Sequence, residues 1–338
     1  MYGIHGHPSF QTLTEKQESR MNAQIDRRLF GAGLTSAAAL SAFASTQKVD
    51  KPQMIPVIDT HQHLWDVKKF KLPWLSTKGV LARSYTLEDY RKATVGLGIS
   101  QTIYMEVDVT PDQQLDEARL VSSLCSDPST GLGGAVVSGR PSSDNFPSHV
   151  ESLLKLKGIT GVRQVLHVDT TPSGYCLGVD FIRGIRLLGE KALSYDICVK
   201  HTELANSAKL IGQCPDTRFI LDHCGNPDLK ATNHDTWRNG LEQVANYPNV
   251  MVKISGFLAS APGYGLWNLE QISPLIKHTL DTFGPDRVMF AGDWPVVLLA
   301  SSYSEWLNAV RLLVQDRPFD QQCKLFHGNA STFYRLKI

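Results

Sequence analysis

From Pro56 onward the chain alternates short apolar runs with longer stretches whose apolar residues return at helical spacing. The apolar runs read as strands at 57–61 (VIDTH), 101–107 (QTIYMEV), 133–137 (GGAVV), 161–166 (GVRQVL), 196–201 (DICVKH), 218–222 (RFILD), 249–255 (NVMVKIS) and 286–292 (DRVMFAG). Between them the pattern predicts helices over 112–125, 146–157, 179–193, 203–213, 235–246, 270–283 and 303–314. Eight strands separated by helices are what a closed parallel barrel requires. A doubly wound open sheet is the alternative, but no G-x-G-x-x-G follows the first strand. The expectation is therefore an α/β protein with a single (β/α)8 TIM barrel over residues 50–338. Its first βα loop, 64–85, is unusually long and rich in Trp, Lys and Pro.

The N-terminal part does not follow this pattern. Arg27 and Arg28 precede a short run of small and apolar residues that ends in Ala42-Phe43-Ala44, an A-x-A processing site. Residues 21–47 thus resemble a twin-arginine export signal, with 1–20 as an upstream extension, and the expected location is periplasmic or otherwise extracytoplasmic. A disordered, uncleaved tail is the competing account. The apolar part is too short and too rich in Ala, Gly and Ser to span a membrane.

Composition narrows the partners. The 34 basic and 33 acidic side chains nearly cancel, so no long-range field draws the chain to nucleic acid or an anionic membrane, and a small-molecule substrate is expected. Six cysteines form no C-x-x-C pair, which argues against a zinc ribbon or a disulfide framework. Cys198 and Cys224 read as buried thiols.

Candidate chemistry gathers at strand ends, where the βα loops of a barrel meet in one open mouth. Asp59, His61 and His63, at i, i+2 and i+4, are expected to point the same way. Two imidazoles there suit a divalent cation or a substrate carbonyl, although a pair of satisfied, partly buried histidines explains the motif equally well. His223 follows an apolar run and precedes the turn residues Gly225, Asn226 and Pro227. Asp293 ends the last strand, where it is either a water-activating carboxylate or the start of a helix at Asp-Trp-Pro. Arg163 and Lys253 lie within strands and need carboxylate partners. Both are candidate substrate-binding cations, with substrate favoured for Arg163 and internal pairing for Lys253. Trp65, Trp74 and Trp294 sit in mouth loops as candidate stacking surfaces for a substrate ring, with core packing as the plainer reading of each.

"VIDTHQHLWD", "LPWL", "GVRQVL", "FILDHCGNPD", "NVMVKISG", "GPDRVMFAGDWPVVLLASSYSEW" and "LFHGNASTFYRL" occur in an order that resembles the amidohydrolase superfamily, most closely its TIM-barrel lactonases acting on sugar-acid lactones and related ring esters. The H-x-H and "GDWP" segments are the most specific pieces. The resemblance implies His61 and His63 as the first-strand pair, His223 as the later histidine and Asp293 as general base. It allows one divalent ion, zinc or manganese, or none. His63, His61 and Asp293 would ligate that ion, joined by Glu106 if its carboxylate is not spent on a nearby cation. His201 sits where metal-dependent decarboxylase relatives place a ligand, and reads equally as a helix-start or supporting residue. Arg163 stands where two-metal relatives carry a carboxylated lysine, so a binuclear site is not expected. Lactone opening by water is the expected activity. Metal-dependent decarboxylation of an aromatic or unsaturated acid, and non-catalytic binding of an exported sugar acid, are the alternatives.

Overall fold

The computed structural model describes residues 54–261 and 263–337. The extension at 1–20 and the export signal expected at 21–47 lie outside the described residues. Eight parallel strands run in chain order around one sheet: β1 (Val57–Gln62), β2 (Ile99–Met105), β3 (Leu132–Ser138), β4 (Ile159–Val165), β5 (Ser194–Cys198), β6 (Arg218–Leu221), β7 (Val250–Ile254) and β8 (Val288–Phe290). These are the expected strands with their ends moved by a few residues. The sheet closes into an α/β TIM barrel through side chains and loop backbone as much as through strand. Thr60 Oγ1 donates to the Phe290 carbonyl at 2.7 Å, and His63 N donates to the Trp294 carbonyl at 2.8 Å.

Ten helices are described: α1 (Leu87–Thr94), α2 (Gln114–Cys125), α3 (Phe146–Leu153), α4 (Val179–Glu190), α5 (Leu204–Gln213), α6 (Asp235–Ala245), α7 (Leu269–Phe283), α8 (Tyr303–Val314), α9 (Phe319–Cys323) and α10 (Asn329–Tyr334). Three of them, α1, α9 and α10, were not expected, because five to eight residues are too few to establish a period. The short helix α1 starts on a capping box, with Thr86 Oγ1 accepting from Asp89 N and Asp89 Oδ2 accepting from Thr86 N.

The core divides as barrel geometry demands. Ile58, Ile103, Met105, Val136, Ile220 and Met289 fill the interior, while a larger shell lies between strands and helices. Ala330 and Tyr334 of α10 join the interior set. Arg218 at the start of β6 donates to the Phe333 carbonyl at 2.7 Å, and Gln101 near the start of β2 donates to the Lys337 carbonyl at 3.0 Å. The C-terminal segment therefore plugs the end at which the strands begin, and the opposite end is left for chemistry. There the long loop is tied down by Trp65 and Tyr85, whose backbones exchange hydrogen bonds of 3.0 and 2.8 Å.

One orientation differs from expectation. Between Asp59 and Gln62, β1 carries one residue more than the matching stretch of β2, Thr102 to Tyr104. This bulge breaks the alternation, so Asp59 does not face the mouth with the histidines. Its Oδ2 accepts from Tyr90 and Tyr303, both at 2.9 Å, on α1 and α8, while Oδ1 accepts from His61 N at 3.0 Å and Gly292 N at 2.7 Å. Asp59 thus buckles β1 to the segment that carries Asp293. A Cβ at Gly292 would strike Tyr303 and Asp59, which explains glycine there.

Candidate active site

The bulged end of β1 brings His61 and His63 edge to edge, with their Nε2 atoms 3.1 Å apart. His63 Nδ1 lies 3.0 Å from the Met105 carbonyl, an acceptor only, so Nδ1 carries the proton and Nε2 a bare lone pair. His61 Nδ1 faces Asp222 Oδ1 at 3.5 Å, which favours the same tautomer. Asp293 Oδ1 completes the triangle, 3.8 Å from His61 Nε2 and 3.6 Å from His63 Nε2.

Both later residues occupy left-handed backbone, with φ of 56° at His223 and 52° at Asp293. Such conformations cost non-glycine residues of order 1 kcal/mol each and persist only where the surroundings impose them. For His223 the constraints are Ser255 Oγ, 2.8 Å from its Nδ1, and Gly256, where a Cβ would collide with the imidazole. The His223 ring then packs 4.5 Å from that of His61. Burial lowers the pKa of His61 well below the usual imidazole value and lowers that of His223, so both are neutral near pH 7.

Beneath the triangle lies a network of charges. Arg163 donates through Nε to Glu106 Oε1 at 2.7 Å, through Nη2 to the Glu106 carbonyl at 2.9 Å, and through Nη1 to Asp222 Oδ2 at 3.1 Å. Lys253 Nζ lies 2.6 Å from Asp196 and 3.1 Å from Asp222. Burial would raise Asp222, but Lys253, His61 and Arg163 together hold it well below the carboxylate range. Burial would likewise raise Glu106, and Arg163 brings it below its ordinary value. Asp196 is pushed up to about 7 by burial despite its ammonium partner.

Arg163, for which substrate was favoured, is therefore engaged internally, and Lys253 is paired internally as favoured. Glu106 does not complete a cation site either, since Oε2 accepts from Ser138 Oγ and Asp108 N, both at 2.6 Å. His201 opens a short 3-10 turn and joins no ligand cluster among the described residues. Trp65 and Trp294 are buried, and Tyr85 packs edge-on against both. Trp74 is 42% exposed, with Nε1 donating to the Val107 carbonyl at 2.7 Å. Asp222 and Ser255 were missed as site residues. Each directly follows or closely trails an apolar run, and that abrupt polarity at a strand end was the available signal.

Among the described residues, two sets of three ligand atoms lie within 4.8 Å of one another: His61, His63 and Asp293, and His61, Asp222 and His223. The second shares Asp222 with two cations, which weakens it as a metal site. The first has the right chemistry, because lone pairs facing each other at 3.1 Å call for a shared cation or proton. A tetrahedral zinc with bonds of about 2.0–2.1 Å has ligand edges of about 3.3–3.4 Å, close to the observed spacings. Against it stands Arg163 Nη1, 3.3 Å from His61 Nε2, a neighbouring positive charge that lowers affinity for an ion.

Residues 58–336 match the family model described as "Amidohydrolase". The chain belongs to the amidohydrolase family. An L-fucono-1,5-lactonase of Burkholderia multivorans is 30% identical to this amidohydrolase over 82% of the chain and 96% of the relative. Another, from Burkholderia ambifaria, is 26% identical over 82% and 95%. A crystal structure of an amidohydrolase from Burkholderia multivorans with bound zinc superposes with a TM-score of 0.75 at 26% identity, covering 83% of this chain and all of the other. The protein is thus a hydrolase of the lactonase-like branch. No helix among the described residues is long and apolar enough to cross a membrane.

Proposed function

We propose that this amidohydrolase opens the ring of a sugar-acid lactone or related ring ester by attack of water, with Asp293 as general base. The observation that carries the reading is the Asp293 carboxylate, 3.6 and 3.8 Å from two imidazole nitrogens at the strand ends. Asp293 takes a proton as the water adds to the carbonyl carbon. With Ser255 donating to Nδ1, His223 keeps its proton on Nε2 and donates a hydrogen bond from it to the oxygen that becomes negative in the tetrahedral intermediate. As the ring C–O bond breaks, the proton held by Asp293 passes to the departing alkoxide, and the product is a hydroxy acid.

His61, His63 and Asp293 would hold a divalent ion, which when bound supplies Lewis acidity toward the carbonyl. Protein purified without chelator is expected to carry up to about one zinc per chain by elemental analysis, and His63→Ala about none, because a two-ligand site is weak. Equal zinc in both would dissociate the ion from this triangle.

The activity is tested with a panel of aldonolactones and a pH indicator. Acid release from one or more members supports the reading, and its absence from all, with carbon dioxide released from aromatic acids, would favour a decarboxylase. His201 stands apart from the triangle, which favours the lactonase.

A further inference from the structure

Outside the triangle, one imidazole faces the mouth without a role. His167 lies two residues beyond β4, its ring partly buried, with Nδ1 3.0 Å from Cys198 Sγ at the end of β5. The strands are tied together just below, where Leu166 N donates to the Cys198 carbonyl at 2.9 Å. In an eight-stranded ring β4 stands across from β8, just beyond which Asp293 lies. The charges of Arg163, Asp293 and Asp222 reach its ring.

The pair has a defined protonation state. Burial raises the Cys198 thiol well above its usual value, which keeps its S–H available to donate to Nδ1. Burial, with the Arg163 guanidinium nearby, pushes His167 down to about 4, so the ring is neutral near pH 7. Its proton then sits on Nε2, which makes no hydrogen bond among the described residues. The cations near it are spent: Arg163 on Glu106 and Asp222, Lys253 on Asp196 and Asp222, and Arg140 on Asp108 at 2.6 Å. This side of the mouth offers a neutral donor and no unpaired cation.

We propose that His167, clamped by Cys198, contacts the substrate by donating from Nε2 to a ring hydroxyl remote from the lactone carbonyl, and so selects hydroxylated lactones without a carboxylate. The proposal rests on the lactonase reading and deepens it. A lactone whose carbonyl lies at Asp293 places its far ring atoms toward β4. A polar group built to meet a hydroxyl discriminates strongly against rings that lack one, since it is otherwise left unpaired.

The experiment compares glucono-δ-lactone with δ-valerolactone, the same ring without hydroxyls. His167→Ala is expected to lower kcat/KM for the hydroxylated ring about 10- to 100-fold, chiefly through KM, and to leave the bare ring within about twofold. His167→Gln, which restores an N–H donor, is expected to recover part of the loss. Cys198→Ala is expected to raise KM a few-fold for the hydroxylated ring alone. Equal losses on both lactones, or none, would overturn the assignment, as would wild-type turnover of a carboxylated aldarolactone matching that of the neutral one. If wild type opens no lactone the hydrolase reading fails separately. Binding of a non-hydrolysable gluconolactam to wild type and His167→Ala by calorimetry then decides the contact: weaker binding by the variant upholds it, and equal or absent binding sinks it.

Discussion

Two groups of charged and imidazole side chains lie within one barrel, and they differ in how completely they are matched. In the network of Glu106, Arg163, Asp196, Asp222 and Lys253, each cation meets two carboxylates and water reaches almost none of it. In the triangle above, two lone pairs face each other and a carboxylate stands 3.6 Å away without a cation of its own. Near-complete pairing makes the lower group a support: both cations are shared between carboxylates, and of its oxygens only Asp196 Oδ1 and Asp222 Oδ1 lack a hydrogen-bond partner among the described residues. Incomplete pairing leaves the upper group able to engage a ligand, as the proposed reaction requires. Residue type alone does not separate the two.

Breaking the contrast from above has the largest expected effect. Asp293→Asn should lower kcat on the best lactone by about 10³-fold while melting within a few degrees of wild type, checked by indicator assay and calorimetry. Full activity in that variant would end the general-base role. Lys253→Met leaves Asp196 and Asp222 buried without an ammonium and should cost about 3–5 kcal/mol of stability in urea unfolding, since a lone buried charge is the expensive state.

A third measurement uses pH on the flank of the network. Burial and the neighbouring Glu106 push Glu117 up to about 7, where it accepts from Tyr104 at 2.9 Å and Val107 N at 2.8 Å. Its folded-state value lies above the unfolded one, so its contribution is present below about pH 4.5 and is lost as pH rises toward 7. The stability of wild type relative to Glu117→Gln should therefore fall by up to about 3 kcal/mol between pH 4.5 and 7, read from urea midpoints at each pH. A flat difference would contradict the raised value. The smallest effect is expected from His201→Ala, within about twofold in kcat/KM and about 0.5 kcal/mol in stability. A large loss of activity there would bring it back as a ligand.

The fold was legible because period and punctuation carry it: each apolar run bounded by turn residues became a strand, down to the three residues of β8. His61, His63, His223 and Asp293 were legible because polar residues ending apolar runs converge in any barrel. The partners of Arg163 were not. Glu106 and Asp222 lie 57 and 59 residues from it, and only closure of the sheet brings them together. The same holds for Asp59, whose direction depends on one extra residue in β1 that no alternation pattern displays.

The seam between β1 and β8 has a consequence for how the enzyme comes into being. His61 and Asp293 lie at opposite ends of the folded domain's sequence, and the clasp from Asp59 to Gly292 spans 233 positions. During synthesis the histidine pair must wait, unmatched, until nearly the whole barrel has emerged and its two edges have met. If Asp293 is the base proposed above, competence in this chain follows ring closure and not any local piece of folding.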